Sequence, residues 1–196
     1  MAYRHQVKSI RDNRALQSLL LGNSLILISL GMLVPVYALF VQKVGGNALS
    51  AGFTAGALAF ASAFSALVAG KFIDRFKPQN TKYFLVFGWM FIGFSALLYL
   101  GVKNITALFA VQIFAGFVKT ISAPAFDTLY ARHLDKSSTG QEYGLWEASF
   151  FITAGVGSVL GGILVTLYGF NGVFIGMAAL AFLAALYISS LPRNTL

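Results

Sequence analysis

Cysteine is absent from the 196 residues, so no disulfide, thiolate metal site or cysteine nucleophile can form. Histidine occurs only as His5 and His133, both in charged segments, which argues against a histidine-rich metal centre. Charge is scarce as well: Asp, Glu, Lys and Arg make up 10% of the chain, against about a quarter in an ordinary soluble domain. That deficit excludes a soluble globular enzyme and a disordered chain. The sequence contains no G-x-x-x-x-G-K-[ST] phosphate loop and no serine in a G-x-S-x-G setting. ATP-driven transport and serine hydrolysis therefore lack their motifs, and neither enzymatic chemistry nor a cofactor is expected.

What the chain has instead is apolar bulk. Hydrophobic residues make up 58%, with 19 Phe and 20 Gly, a composition suited to closely packed membrane helices. Crossing a hydrocarbon core of about 30 Å takes roughly 20 apolar residues. Uncharged runs cover 15–40, 44–70 and 83–102, and a fourth hydrophobic block, 104–131, holds Lys119 and Asp127. The uncharged run 148–192 is about twice the length of one crossing. It divides at Tyr168-Gly169-Phe170-Asn171-Gly172, where Gly and Asn favour a turn. An all-α membrane protein of six transmembrane helices is predicted, with spans at 15–41, 47–71, 82–101, 105–131, 140–168 and 172–191. A basic segment, 1–14, precedes them and a short tail, 193–196, follows.

Eleven of the fourteen basic residues fall in the first segment, the second and fourth loops and the tail, whereas only Lys43 and Lys103 lie on the opposite side. This asymmetry predicts cytoplasmic termini in a cell membrane. The formal net charge of +8 then reflects topology and contact with anionic headgroups of the bilayer, and no nucleic-acid partner is expected.

Lys119 is the remaining basic residue, and it falls inside a span. A lysine near mid-membrane costs at least roughly 2.5–3.5 kcal/mol on insertion scales, and its stem is too short to reach either interface. It must face a wet cavity, a carboxylate or backbone oxygens. The functional reading is a substrate or coupling site, and the structural one is a lysine bonded to carbonyls or to Ser122. Gln112, two turns earlier on nearly the same face, is a substrate ligand or a helix-packing amide. Asn23 and Tyr37 are further substrate candidates, Tyr37 alternatively belonging to an interfacial aromatic belt. Glu147, about two turns into the fifth span, is a candidate for proton coupling, because desolvation favours a protonated carboxyl; an ion pair with a loop base is the alternative. Glu142 completes a T-x-x-E capping box with Thr139 and reads as structural.

Three motifs carry a family resemblance. Gly70-Lys71-Phe72-Ile73-Asp74-Arg75 follows the second span, Gly157-Ser158-Val159-Leu160-Gly161-Gly162 lies on the fifth, and Gln112 with Gly116 lies on the fourth. Together they resemble the G-x-x-x-D-R, G-P-x-x-G-G and R-x-x-Q-G patterns of the major facilitator superfamily, in the corresponding order. Ser158 stands where proline is usual, Gln112 and Ala115 replace Arg and Gln, and Lys77-Pro78-Gln79 departs from the second part of the loop motif.

The resemblance covers about residues 15–192 and implies one six-helix half built from 3+3 inverted repeats. It implies a secondary transporter of a small-molecule solute, working by alternating access as a parallel homodimer with the site between protomers; two copies of Lys119 near one axis would favour anionic character in that solute. An N-terminal fragment of a twelve-helix transporter is the alternative, and a non-transporting membrane scaffold or assembly subunit is the rival of another class. It further implies a cytoplasmic gate at Gly70, Asp74, Arg75 and Asp127, with Asp74 facing a helix N-terminus. It also implies dimer packing through the small residues of the second and fifth spans, Gly52, Gly56, Gly157 and Gly161.

Overall fold

The computed structural model describes residues 13–73, 75, 81–134 and 139–192. These residues form helices and short turns, with no strand among them. In chain order the helices are α1 (Arg14–Gly31), α2 (Tyr37–Lys43), α3 (Ala48–Ile73), α4 (Thr81–Leu98), α5 (Ile105–Ile121), α6 (Ala123–His133) and α7 (Thr139–Ser190). Joined in line, α1 with α2 and α5 with α6, they give five apolar stretches long enough to cross a membrane: Arg14–Lys43, Ala48–Ile73, Thr81–Gly101, Ile105–His133 and Thr139–Ser190.

Five stretches therefore stand where six separate spans were expected, and the difference lies in α7. Its 52 residues would extend about 78 Å as a straight helix. Instead Gly169 takes φ 68° and ψ −171°, a conformation essentially restricted to glycine. The two arms fold back on each other there: a Cβ on Gly176 would meet the Leu164 side chain at 3.0 Å, and one on Gly172 the Leu164 carbonyl oxygen at 3.5 Å. A one-residue reversal replaces the five-residue turn read from the sequence.

Two other interruptions follow from proline. Val34–Val36 is a 3-10 turn containing Pro35, which separates α1 from α2. Pro124 lies in the first turn of α6, just past Ser122 at the junction with α5. Its ring nitrogen has no proton for the carbonyl of Thr120 four residues back, so this span, expected to be continuous, is broken near its middle. Asparagines open three helices, and the Asn47 side chain, just ahead of α3, accepts from the Ser50 N–H at 3.0 Å. The Asn13 side chain accepts from the Leu16 N–H at 3.2 Å, and that of Asn104 accepts from the Ala107 N–H at 2.8 Å.

The stretches run up and down between two ends. At one end the Asn13 amide donates to the His133 carbonyl, and Tyr130 donates its hydroxyl proton to the Glu142 carbonyl. There too the Lys82 ammonium donates to the carbonyls of Ser189 and Leu191. Lys82 is only 7% exposed; a cation at the last carbonyls of α7 is favourably placed against the negative helix end. At the other end Lys43 lies over the Phe170 ring. Helix α1 packs most extensively on α7, α3 on α5, and α4 on α7. One apolar cluster, around Leu19, Trp89, Phe126 and Ile188, fills the first end. A second, around Phe40, Tyr99, Phe170 and Phe174, fills the other. α3 is the least buried of the five stretches and turns Phe53, Phe60, Phe64 and Leu67 outward.

Candidate functional site

Where the two apolar clusters meet, the bundle lines a cavity of about 390 Å³ that is open on one side. Every one of the five stretches contributes to it: Leu27 and Leu30 from α1, Tyr37 from α2, Leu58 from α3, Tyr99 just after α4, Gln112 and Lys119 from α5, and Phe150 and Met177 from the two arms of α7. Convergence of all the elements on one mid-bundle space is the usual placement of a site in a helical bundle.

Lys119 lies in the last turn of α5, on the exposed side of this space. It is the central residue of the stretch Ile105–His133, about 21 Å from either end at the helical rise. Among the described residues no hydrogen bond or ion pair engages its ammonium group, and none joins it to Ser122. Ser122 instead packs where α4 crosses the α5–α6 junction, its Cβ 2.5 Å from the position of a Cβ on Gly88. Neither bond of the structural reading, to backbone carbonyls or to that hydroxyl, is present among the described residues.

Gln112 is buried and lines the same cavity, and its Oε1 accepts the Tyr99 hydroxyl proton at 2.9 Å. It ties α5 to the end of α4, and its side chain borders the space. Tyr37 is a lining residue as well. Its hydroxyl pairs with that of Thr54. Because Thr54 spends its one proton on the Ser50 carbonyl at 2.7 Å, Tyr37 is the donor of the pair.

Asn23 does not line the cavity; it lies half-buried one turn from Leu27 on that face of α1. Glu147 is exposed, one turn before Phe150 on the cavity-facing side of α7. Ser95, Tyr99, Phe150 and Ala154 are lining residues that the sequence reading did not single out.

Asp74 lies outside the described residues. Gly70 has open space at its Cβ position, and Arg75 and Asp127 are exposed.

The glycines require a correction. Gly157 and Gly161, expected in dimer packing, are buried against α1 of the same chain: a Cβ on Gly157 would lie 2.5 Å from the Ile28 carbonyl oxygen, and one on Gly161 would collide with the Met32 carbonyl. Gly116 is likewise pressed against the Leu58 carbonyl of α3. Gly155 and Gly162, the neighbours of Gly157 and Gly161, instead face open space, as Gly52 and Gly56 do on α3.

Comparison with known proteins gives a consistent picture. The sequence model of the Major Facilitator Superfamily matches residues 19–195. The chain is 28% identical over 160 residues to the uncharacterized MFS-type transporter MJ1560 of Methanocaldococcus jannaschii, covering 82% of this chain and 41% of that protein. It is 24% identical over 183 residues to the multidrug resistance protein MdtG of Proteus mirabilis, covering 91% of this chain and 45% of that one. The Escherichia coli MdtG matches at 23% over 191 residues, 94% of this chain and 45% of its own. The chain thus spans less than half the length of these relatives.

Proposed function

The chain belongs to the major facilitator superfamily, and from that premise we propose that it supplies one half of a secondary transporter for a small solute. The observation that carries this reading is the central cavity with Lys119 at mid-span on its open side. A charge at that depth is costly, and a non-transporting scaffold has little reason to keep it. The solute binds in this cavity, and a second half closes its open side. Exposure alternates as the two halves rock against each other. The multidrug-resistance name of two relatives agrees with walls that are mostly apolar.

A second copy of this chain in the same orientation is the partner we favour, since closed two-fold pairing is the commonest oligomeric arrangement. The contact is formed by the outward small residues Gly52 and Gly56 of α3 with Gly155 and Gly162 of α7, where backbones can approach closely. In this reading the six spans, counting the arms of α7 separately, form two three-helix repeats, and the basic end faces the cytoplasm.

The absence of cysteine allows a direct test. Ala115 lines the cavity, so an Ala115→Cys variant is expected to react with a membrane-impermeant maleimide from both sides of sealed vesicles, without ion leak. Reaction from one side alone under all solute conditions would replace the transporter with the scaffold.

A further inference from the structure

We propose that the cavity selects amphipathic organic anions, solutes with an apolar body and one carboxylate-like group, the anionic end held at Lys119 and the body against the aliphatic wall. This deepens the transporter reading and rests on its assignment of the cavity as the solute site.

The argument is an accounting of polar capacity. Five side chains with polar atoms suited to a ligand border the space: Tyr37, Ser95, Tyr99, Gln112 and Lys119. A hydroxyl has one proton to give, and all three hydroxyls have given theirs within the chain. Tyr37 donates to Thr54, Ser95 to the Ile92 carbonyl at 2.8 Å, and Tyr99 to Gln112 at 2.9 Å. The Gln112 oxygen has taken one of these protons. What remains with hydrogens to offer is the ammonium of Lys119, which has no partner among the described residues, and the amide nitrogen of Gln112 two turns away on the same face. An acceptor-only group, an ionised carboxylate above all, complements that pair.

The same accounting disfavours the other solute classes. A sugar needs many donors and acceptors at once, whereas the hydroxyls of Tyr37, Ser95 and Tyr99, their protons spent, can only accept. A cation would meet Lys119 in a space whose described lining contains no Asp or Glu. A second copy of the chain would add another lysine and strengthen the preference for negative charge, because opposite charges attract strongly where water is scarce. The rest of the wall is apolar, with Leu27, Leu30, Leu33, Leu58, Ile92 and Phe150, so a bare inorganic anion would leave most of the cavity unfilled. A volume of about 390 Å³ suits a compact organic molecule.

Three isosteric probes test this on the full chain in lipid nanodiscs: phenylpropionate, phenylpropanol and phenylpropylamine, read by calorimetry and thermal shift. The carboxylate is expected to bind and raise the melting temperature, while the alcohol and amine bind at least about tenfold more weakly. Lys119→Arg keeps the preference, and Lys119→Met loses it with the protein still monodisperse. Equal affinity for the three probes, no binding of the carboxylate, or unchanged carboxylate binding by the Met variant overturns the proposal. The first two outcomes need no variant to fold. If the carboxylate fails while Ala115→Cys still reacts from both sides, only the solute class is wrong. If the carboxylate binds while that cysteine reacts from one side, the site stands and transport does not.

Discussion

Gly161 lies flat against the main chain of Met32, so closely that a side chain there would enter the Met32 carbonyl group. This contact and that of Gly157 with Ile28 clamp the first arm of α7 onto α1. Small residues allow such approach, and in a membrane it is packing, more than hydrophobicity, that holds helices together.

Two leucine substitutions should therefore behave differently. Gly161→Leu is expected to destabilise the protomer itself by about 1–3 kcal/mol or more, because the obstructing atoms are backbone and cannot turn aside. Gly56→Leu meets nothing within 4 Å in its own chain, so it should leave the melting temperature nearly unchanged while lowering the dimer fraction. Thermal unfolding and native mass measurement in lipid separate the two. A Gly161→Leu protein that melts like the parent would contradict the packing, and a fully dimeric Gly56→Leu protein would remove α3 from the proposed contact.

The Tyr99–Gln112 pair offers a test of the cavity wall. Both side chains are buried, so Tyr99→Phe should cost about 1–3 kcal/mol by leaving the amide oxygen without its donor. Gln112→Leu should cost a similar amount by stranding the hydroxyl. The double variant, with neither polar group left, should lose clearly less than the sum. Strict additivity in chemical or thermal unfolding would show that the bond contributes nothing.

The gate proposal concerns Asp74, for which the loop motif is the support. Asp74→Asn should favour the state open at the basic end, since an anion at a helix N-terminus contributes roughly 0.3–1 kcal/mol, and up to about 2 when partly buried. Cysteine pairs across that mouth, such as Arg75→Cys on one copy with Gly140→Cys on the other, should crosslink less in the Asn background. Equal crosslinking in both backgrounds would remove Asp74 from the gate.

Helices were legible in the sequence because the bilayer imposes one rule on the backbone: within lipid every N–H and C=O must be satisfied inside the segment. Long uncharged runs such as 15–40 and 83–102 leave little besides an apolar helix as an answer. Lys119 was legible for the same reason, as a charge where charge is costly. Gly70 and Asp74-Arg75 were readable as a motif, but a motif places no side chain.

What composition and spacing could not supply was direction around each helix. Gly157 and Gly161 look the same in sequence as Gly155 and Gly162, yet one pair is sealed against α1 and the other faces outward. Rotation about a helix axis is decided by what packs beside it, and that partner is far away in the chain. The hydrogen bonds of Tyr37 with Thr54 and Tyr99 with Gln112 arise in the same way, from neighbouring helices brought side by side. The apolar runs and their one misplaced charge follow from solvation, which each residue carries with it. Which glycines are sealed, and which cavity hydroxyls are already spent, follow from packing, which no residue carries alone.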